Sequence, residues 1–169
     1  VKGILSGKGM KDINISCESI IEEYADLVYR VALSQVKNKH DAEDIFQEVF
    51  ISLIKNLDKI EDEAHLKHWL IRSAINRAKN YRLCFWHRRV ELKGEDITYC
   101  AENEEWNDII EEIQSLPAKL RAVVYLHYYE GFSAEETGRI LKIPEGTVKS
   151  RLYTARKRLK MSLGEGEER

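Results

Sequence analysis

The chain has 169 residues, 43% of them hydrophobic and 33% charged, enough to bury real cores in one medium domain or two small ones. No apolar run reaches the eighteen residues a membrane helix needs, and the start VKGILSGKGMKDIN lacks the apolar core and cleavage site of a secretory signal, so a cytoplasmic protein is expected. Three widely spaced cysteines, Cys17, Cys84 and Cys100, do not suit a disulfide framework and read as reduced thiols.

A net charge of −2 would argue against nucleic acid if it were evenly spread, because phosphate binding needs basic residues gathered on one surface. It is not evenly spread. No acid occurs from Lys67 to Val90 or from Gly146 to Leu163, and both stretches are rich in Lys and Arg. Between them lie Glu91, Glu95, Asp96, Glu102, Glu104, Glu105 and Asp108. Two basic surfaces are joined by an acidic connector.

Residues 1–15 hold three glycines and no periodicity and read as a disordered leader, with Met10 an alternative start. Ser19 and Glu22 have capping-box spacing, and Ile20, Tyr24, Leu27, Val28, Val31 and Val36 keep one apolar face, which predicts a first helix. Asp41 is the expected cap of a second helix, with an apolar stripe of Ile45, Phe46, Val49, Phe50, Leu53, Ile54 and Leu57. A polar turn from Asp58 to Glu63 leads to a third helix, where Leu66, Trp69, Leu70, Ala74, Ile75, Ala78 and Tyr81 alternate with basic residues; Trp69 is read as core. The acidic segment 90–108 reads as a linker between a domain at 16–89 and one at 109–163, with 164–169 a tail. In the second domain, Ile109, Ile110, Ile113 and Leu116 precede Pro117, and Leu120, Val123, Val124, Leu126 and Tyr128 follow it. Ser133 with Glu136 predicts another capping box, opening a short helix that Pro144 separates from a last one over about 145–160. No strand pattern appears, and the fold class is all-α.

A short helix, a tight turn and a second helix rich in Lys, Arg, Ser and Thr is the helix-turn-helix arrangement, here over Ser133 to Lys160. Thr147, Lys149, Ser150, Tyr153 and Thr154 fall in the first turns of its second helix, where side chains reach base edges. Val148, Leu152, Ala155 and Leu159 are expected to face inward, and Arg151, Arg156, Lys157, Arg158 and Lys160 to meet phosphates or solvent.

The run LPAKLRAVVYLHYYEGFSAEETGRILKIPEGTVKSRLYTARKRL, above all PEGTVKSRLYTAR, resembles the fourth region of the extracytoplasmic-function (ECF) sigma factors, a group of the sigma-70 family. DAEDIFQEVFISLIKNL at 41–57 and HWLIRSAINRAKNYR at 68–82 resemble the second region, so the likeness spans about residues 19–160. It implies a non-enzymatic RNA polymerase subunit that directs promoter-specific initiation, with no cofactor. The last helix would enter the major groove at the minus-35 element, with Thr147, Lys149, Ser150, Arg151, Tyr153, Thr154 and Arg156 in contact with DNA. In the third helix Asn76 would line a pocket for a flipped minus-10 base, with the loop from Asp58 to Ala64 as its other wall and Arg72, Arg77, Lys79, Asn80 and Tyr81 beside it. Phe85 and Trp86, just past that helix, would either stack on the strand or pack. Asp41, Asp44, Gln47 and Glu48 would form the face that docks on core polymerase; without the resemblance they read as acids stabilised near a helix amino terminus. Further partners implied are promoter DNA and an anti-sigma factor. The acidic linker is expected to be repelled by the template and to lie towards basic channels of the core.

One departure is Thr137-Gly138, where the family more often carries a β-branched aliphatic residue and alanine; a helix-interior glycine costs about 1 kcal/mol against alanine and is expected to loosen that helix. An enzyme finds little support, since the H-E-x-x-H spacing, a glycine-rich phosphate loop and a G-x-S-x-G elbow are all missing from the sequence. A zinc site from His65, His68, Cys84 and His87 has the right ligand types but falls on the basic helix. A conventional helix-turn-helix regulator would explain the last helices and leave the amino-terminal motifs unexplained.

Overall fold

The computed structural model describes residues 17–36, 38–89 and 111–162, with the backbone alone for 82–89 and 162. The expected leader, acidic linker and tail lie outside the described residues, as does Cys100. The described residues are helical throughout, joined by short turns and without a strand.

α1 (Cys17–Gln35), α2 (Lys39–Asn56) and α3 (Glu63–Arg89) pack against one another in the first half. α1 opens at Cys17, so Ser19 and Glu22 lie inside the helix and do not cap it. Its apolar face is Ile20, Tyr24, Leu27, Val28 and Val31, all buried. The cap of α2 is Asn38 and not Asp41: Asn38 Oδ1 accepts from the Asp41 backbone N–H at 2.7 Å, and its Nδ2 donates to Asp41 Oδ2 at 2.8 Å. Asp41 therefore takes the reciprocal position three residues into the cap, where its charge meets the helix dipole. Within the expected stripe of α2, Ile45, Val49, Phe50 and Leu53 are buried, whereas Ile54 is 56% exposed. A 3₁₀ turn at Leu57–Lys59 leads to α3, whose first turn is held by Asp62 Oδ1 accepting from His65 N–H at 2.7 Å. α3 runs on to Arg89, so Phe85 and Trp86 belong to the helix; their side chains lie outside the described residues.

The second half starts with a helical turn over 111–115, followed by α4 (Ala118–Val124), which widens into a π-turn at Tyr125–Tyr129. The Glu130 N–H reaches back five residues to Tyr125 O at 3.2 Å, and Gly131 with φ +73° lets the chain leave the helix. α5 (Ala134–Leu141) carries the expected capping box: Ser133 Oγ accepts from Glu136 N–H, and Glu136 Oε2 accepts from Ser133 N–H at 2.8 Å. α6 (Glu145–Ser162) follows after Pro144. Buried apolar side chains from both halves form one continuous cluster, which includes Val28, Leu70, Leu126, Ile140 and Val148.

The turn between α5 and α6 explains the departure at 137–138. The backbone O of Ile143 lies 2.8 Å from where a Cβ on Gly138 would stand, and the Ile143 N–H closes the turn onto Gly138 O at 3.0 Å. The glycine permits this close approach rather than merely loosening α5. Lys142 makes the turn with φ 54°, the left-handed region. Thr137 is fully buried, and its hydroxyl has no partner. Thr137→Val, which removes that hydroxyl at nearly constant volume, is expected to raise unfolding free energy by about 1 kcal/mol. Gly138→Ala is expected to lower it despite the better helix propensity of alanine. Urea denaturation followed by far-UV circular dichroism measures both.

Candidate nucleic-acid interface

Burial sets the roll of α3. Leu66, Leu70, Ile71, Ala74 and Ala78 are all at 0% exposure, and residues three and four apart on a helix share a face. The opposite side then carries Trp69, Arg72, Ser73, Asn76, Arg77 and Asn80, which together line one open depression of about 290 Å³. Asn76, Lys79 and Asn80 are exposed; Arg72, Arg77 and Tyr81 are half-buried. Trp69 is half-buried, packing on the core while also lining the depression. No residue of 58–64 lines this depression among the described residues; the 3₁₀ turn leads into Ile60, which is buried in the core.

Two residues expected at DNA are instead tied to two expected at the polymerase. Arg77 Nη1 pairs with Glu48 Oε2 at 2.7 Å, and Tyr81 OH donates to Asp44 Oδ2 at 3.1 Å. Burial, reinforced by that bond, pushes the Tyr81 phenol up to about 12, which keeps it protonated and donating. Asp44 also lies 3.9 Å from His40 Nε2. Of the four residues expected on the polymerase face, Gln47 alone is exposed; Asp41, Asp44 and Glu48 are half-buried. Beside Gln47, at helical spacing, Ile51 and Ile54 are 52% and 56% exposed. Sequence reasoning missed this pair, since Ile51 had no assignment and Ile54 fitted the inward stripe.

The setting of α6 follows the same logic. Val148, Leu152 and Ala155 are buried, and Leu159 is half-buried. Lys149, Ser150, Tyr153, Thr154 and Arg156 are exposed, with Tyr153 at 67%; Thr147 and Arg151 are half-buried. Lys149 Nζ pairs with Glu145 Oε1 at 2.7 Å, one turn back. The hydroxyls of Ser150 and Thr154 donate to the carbonyls of Thr147 and Ser150 on their own helix, at 3.0 and 2.9 Å. Of the group considered for zinc, His65 Nδ1 accepts from Glu61 N–H, His68 packs against the Phe132 ring, and the side chains of Cys84 and His87 lie outside the described residues. Among the described residues no three His, Cys, Asp or Glu side chains converge as a metal site.

Comparison with known proteins decides the family. The model for sigma-70 region 2 matches residues 20–84, and that for sigma-70 region 4 matches residues 106–159. The chain is 32% identical over 164 residues to the ECF RNA polymerase sigma factor SigW of Bacillus subtilis, an alignment covering 85% of this chain and 87% of SigW. The chain belongs to the ECF sigma factors. This sigma factor is also 32% identical over 136 residues to the ECF sigma-E factor of Escherichia coli, covering 69% of this chain and 70% of the relative. Its fold matches that of RpoE in the co-crystal structure with the anti-sigma factor NepR from Bartonella quintana, at a TM-score of 0.72 and 23% identity, over 89% of this chain and 98% of the other. No described helix of the sigma factor is long and apolar enough to cross a membrane.

The phenol–carboxylate contact yields a pH test. The folded pKa of Tyr81 is raised above the unfolded value of 10.0, so its contribution to stability is fully present below pH 10 and is lost as pH rises through the folded value of about 12. Tyr81→Phe is expected to cost about 1 kcal/mol at pH 8. Denaturant midpoints measured across alkaline pH should show the gap between the two proteins closing towards pH 12.

Proposed function

We propose that this sigma factor joins core RNA polymerase, reads the minus-35 element with α6 and captures an unstacked minus-10 base on α3, acting in the cytoplasm by binding and not by catalysis. The observation that carries this reading is that one chain presents two acid-free helical faces, over 67–81 and 146–161, each backed by buried apolar residues. Lys149, Ser150, Tyr153 and Thr154 are the base-reading residues, with Thr147, Arg151 and Arg156 steadying the helix on the backbone. Asn76 is the floor of the minus-10 site, and Arg72, Lys79 and Asn80 hold the separated strand. Arg77 and Tyr81 reach DNA by exchanging their bonds to Glu48 and Asp44.

Asp41, Asp44, Gln47 and Glu48 meet core polymerase, and Ile51 and Ile54 add apolar area to that contact. An anti-sigma factor is the further partner, a reading supported by the neighbour of this fold, RpoE, that was solved with the anti-sigma factor NepR. The acidic segment 90–108 is placed along basic channels of the core by charge repulsion from the template.

Run-off transcription with purified bacterial core polymerase on genomic fragments, with and without the protein, tests the proposal. Discrete new transcripts are expected. Asn76→Ala is expected to reduce open-complex formation about tenfold or more while leaving core binding unchanged, and Lys149→Ala to weaken minus-35 binding by about 1–3 kcal/mol. A protein that shifts DNA yet neither binds core nor supports a transcript would instead be a helix-turn-helix regulator.

A further inference from the structure

From Thr137 to Gly164 the sequence holds a single acid, Glu145, among recurring Lys and Arg. It is the first residue of α6, at the end of the helix read above as entering the major groove, where side chains come nearest to base edges. A carboxylate is out of keeping with that place, because a negative group close to phosphates weakens binding to any duplex. Helix stability gives it little reason to be there. An acid in a first turn, and a Glu four residues before a Lys, each contribute only slightly when exposed, and the side chains of Glu145 and Lys149 are 48% and 67% exposed. What the pair does offer is an acceptor and a donor fixed side by side. Lys149 Nζ meets Glu145 Oε1 at 2.7 Å, which leaves Oε2 and the other N–H groups of the ammonium for a partner. The neighbouring hydroxyls direct their protons elsewhere: Ser150 and Thr154 donate to carbonyls of their own helix. Lys149 is thus the exposed cation of the first two turns.

We propose that the Glu145–Lys149 ion pair reads one C·G base pair of the minus-35 element, with Glu145 the residue that determines specificity there. The proposal rests on the reading of α6 as the minus-35 helix. In the major groove a C·G pair shows the cytosine N4 amino donor beside two adjacent guanine acceptors, O6 and N7. A carboxylate accepts from the first and an ammonium donates to the second set, so ion pair and base pair match donor to acceptor. An A·T pair fits less well: adenine N7 stands against the carboxylate beside the amino group, and the thymine methyl crowds the ammonium beside O4. Reversing the pair to G·C sets guanine acceptors against the carboxylate. Glu145 therefore acts as much by exclusion as by attraction. Paired with Lys149, it opposes the phosphates less than a lone acid would, because the pair carries no net charge.

The full chain with core polymerase, used to select from duplexes randomised across the minus-35 element, tests the assignment. Wild type is expected to prefer C·G at one position by about fivefold or more. Glu145→Gln, which keeps the side-chain volume and the helix propensity, is expected to flatten that position alone, and Lys149→Ala to flatten the same position. Binding of the full chain by itself to a duplex of unrelated sequence moves the two variants apart. It is expected to tighten about threefold with Glu145→Gln, its log–log salt slope steepening by about 0.9 as Lys149 becomes free for a phosphate, and to weaken with Lys149→Ala. A purely stabilising Glu145 would move neither base preference nor slope. A Glu145→Gln profile that matches wild type at every position overturns the proposal, as does a loss of preference spread evenly over the element. Run-off transcription with the same proteins keeps the two readings apart. If wild type selects a defined element and directs transcripts while Glu145→Gln keeps its profile, only the ion-pair reading fails; if no element is selected and no transcript appears, the minus-35 reading of α6 fails with it.

Discussion

The burial of one apolar stripe on α3 is the constraint on which the rest depends. Leu66, Leu70, Ile71, Ala74 and Ala78 can leave water only by turning towards α1 and α2, and a helix is too stiff to turn one stripe inward without turning the other outward. The row from Trp69 to Asn80 is thereby presented together, and its polar character follows from which positions were left over. The same argument acts on α6, where Val148, Leu152 and Ala155 face the core and the hydroxyl and basic residues face out. Each surface proposed to meet DNA is the complement of a hydrophobic one.

Charge adds a second level of order between α2 and α3. The pairs of Arg77 with Glu48 and of Tyr81 with Asp44 cross between the helix assigned to the polymerase and the helix assigned to DNA. The Arg77–Glu48 pair is partly exposed, and such pairs contribute little to stability. Their consequence lies in preorganisation: a guanidinium and a phenol at the rim of the depression are held in one orientation, and a partner that engages Asp44 or Glu48 alters what Arg77 and Tyr81 are free to touch.

The helix-turn-helix shows how a local sequence departure is absorbed. Gly138 admits the Ile143 carbonyl at a distance no Cβ would allow, Lys142 takes the left-handed turn position, and the buried Thr137 hydroxyl goes without a partner. The tight turn is retained at some cost in stability. The capping box at Ser133 and Glu136 works in the other direction, anchoring the start of α5 by two reciprocal bonds.

Much of this was legible in the amino-acid sequence, because helical periodicity and acid-free runs are local properties. The all-α class, the capping box at Ser133, and the extent of α6 and its inward residues follow from spacing, whereas Arg72, Asn76 and Asn80 were grouped on α3 by the resemblance to the sigma second region. Caps were less legible, since Ser19 with Glu22 has the right spacing inside a helix, and Asn38 could not be preferred to Asp41 without the backbone. What only the tertiary structure decided is everything that depends on a distant neighbour: that Ile54 faces outward beside Ile51, that no residue of 58–64 lines the depression among the described residues, that Asp44 and Glu48 are partnered from α3, and that Gln114 and Arg121 donate to the carbonyls at the end of α1. Periodicity states which face of a helix seeks burial; it does not state which carbonyl some eighty residues away will accept a hydrogen bond, because that choice is made by packing in space.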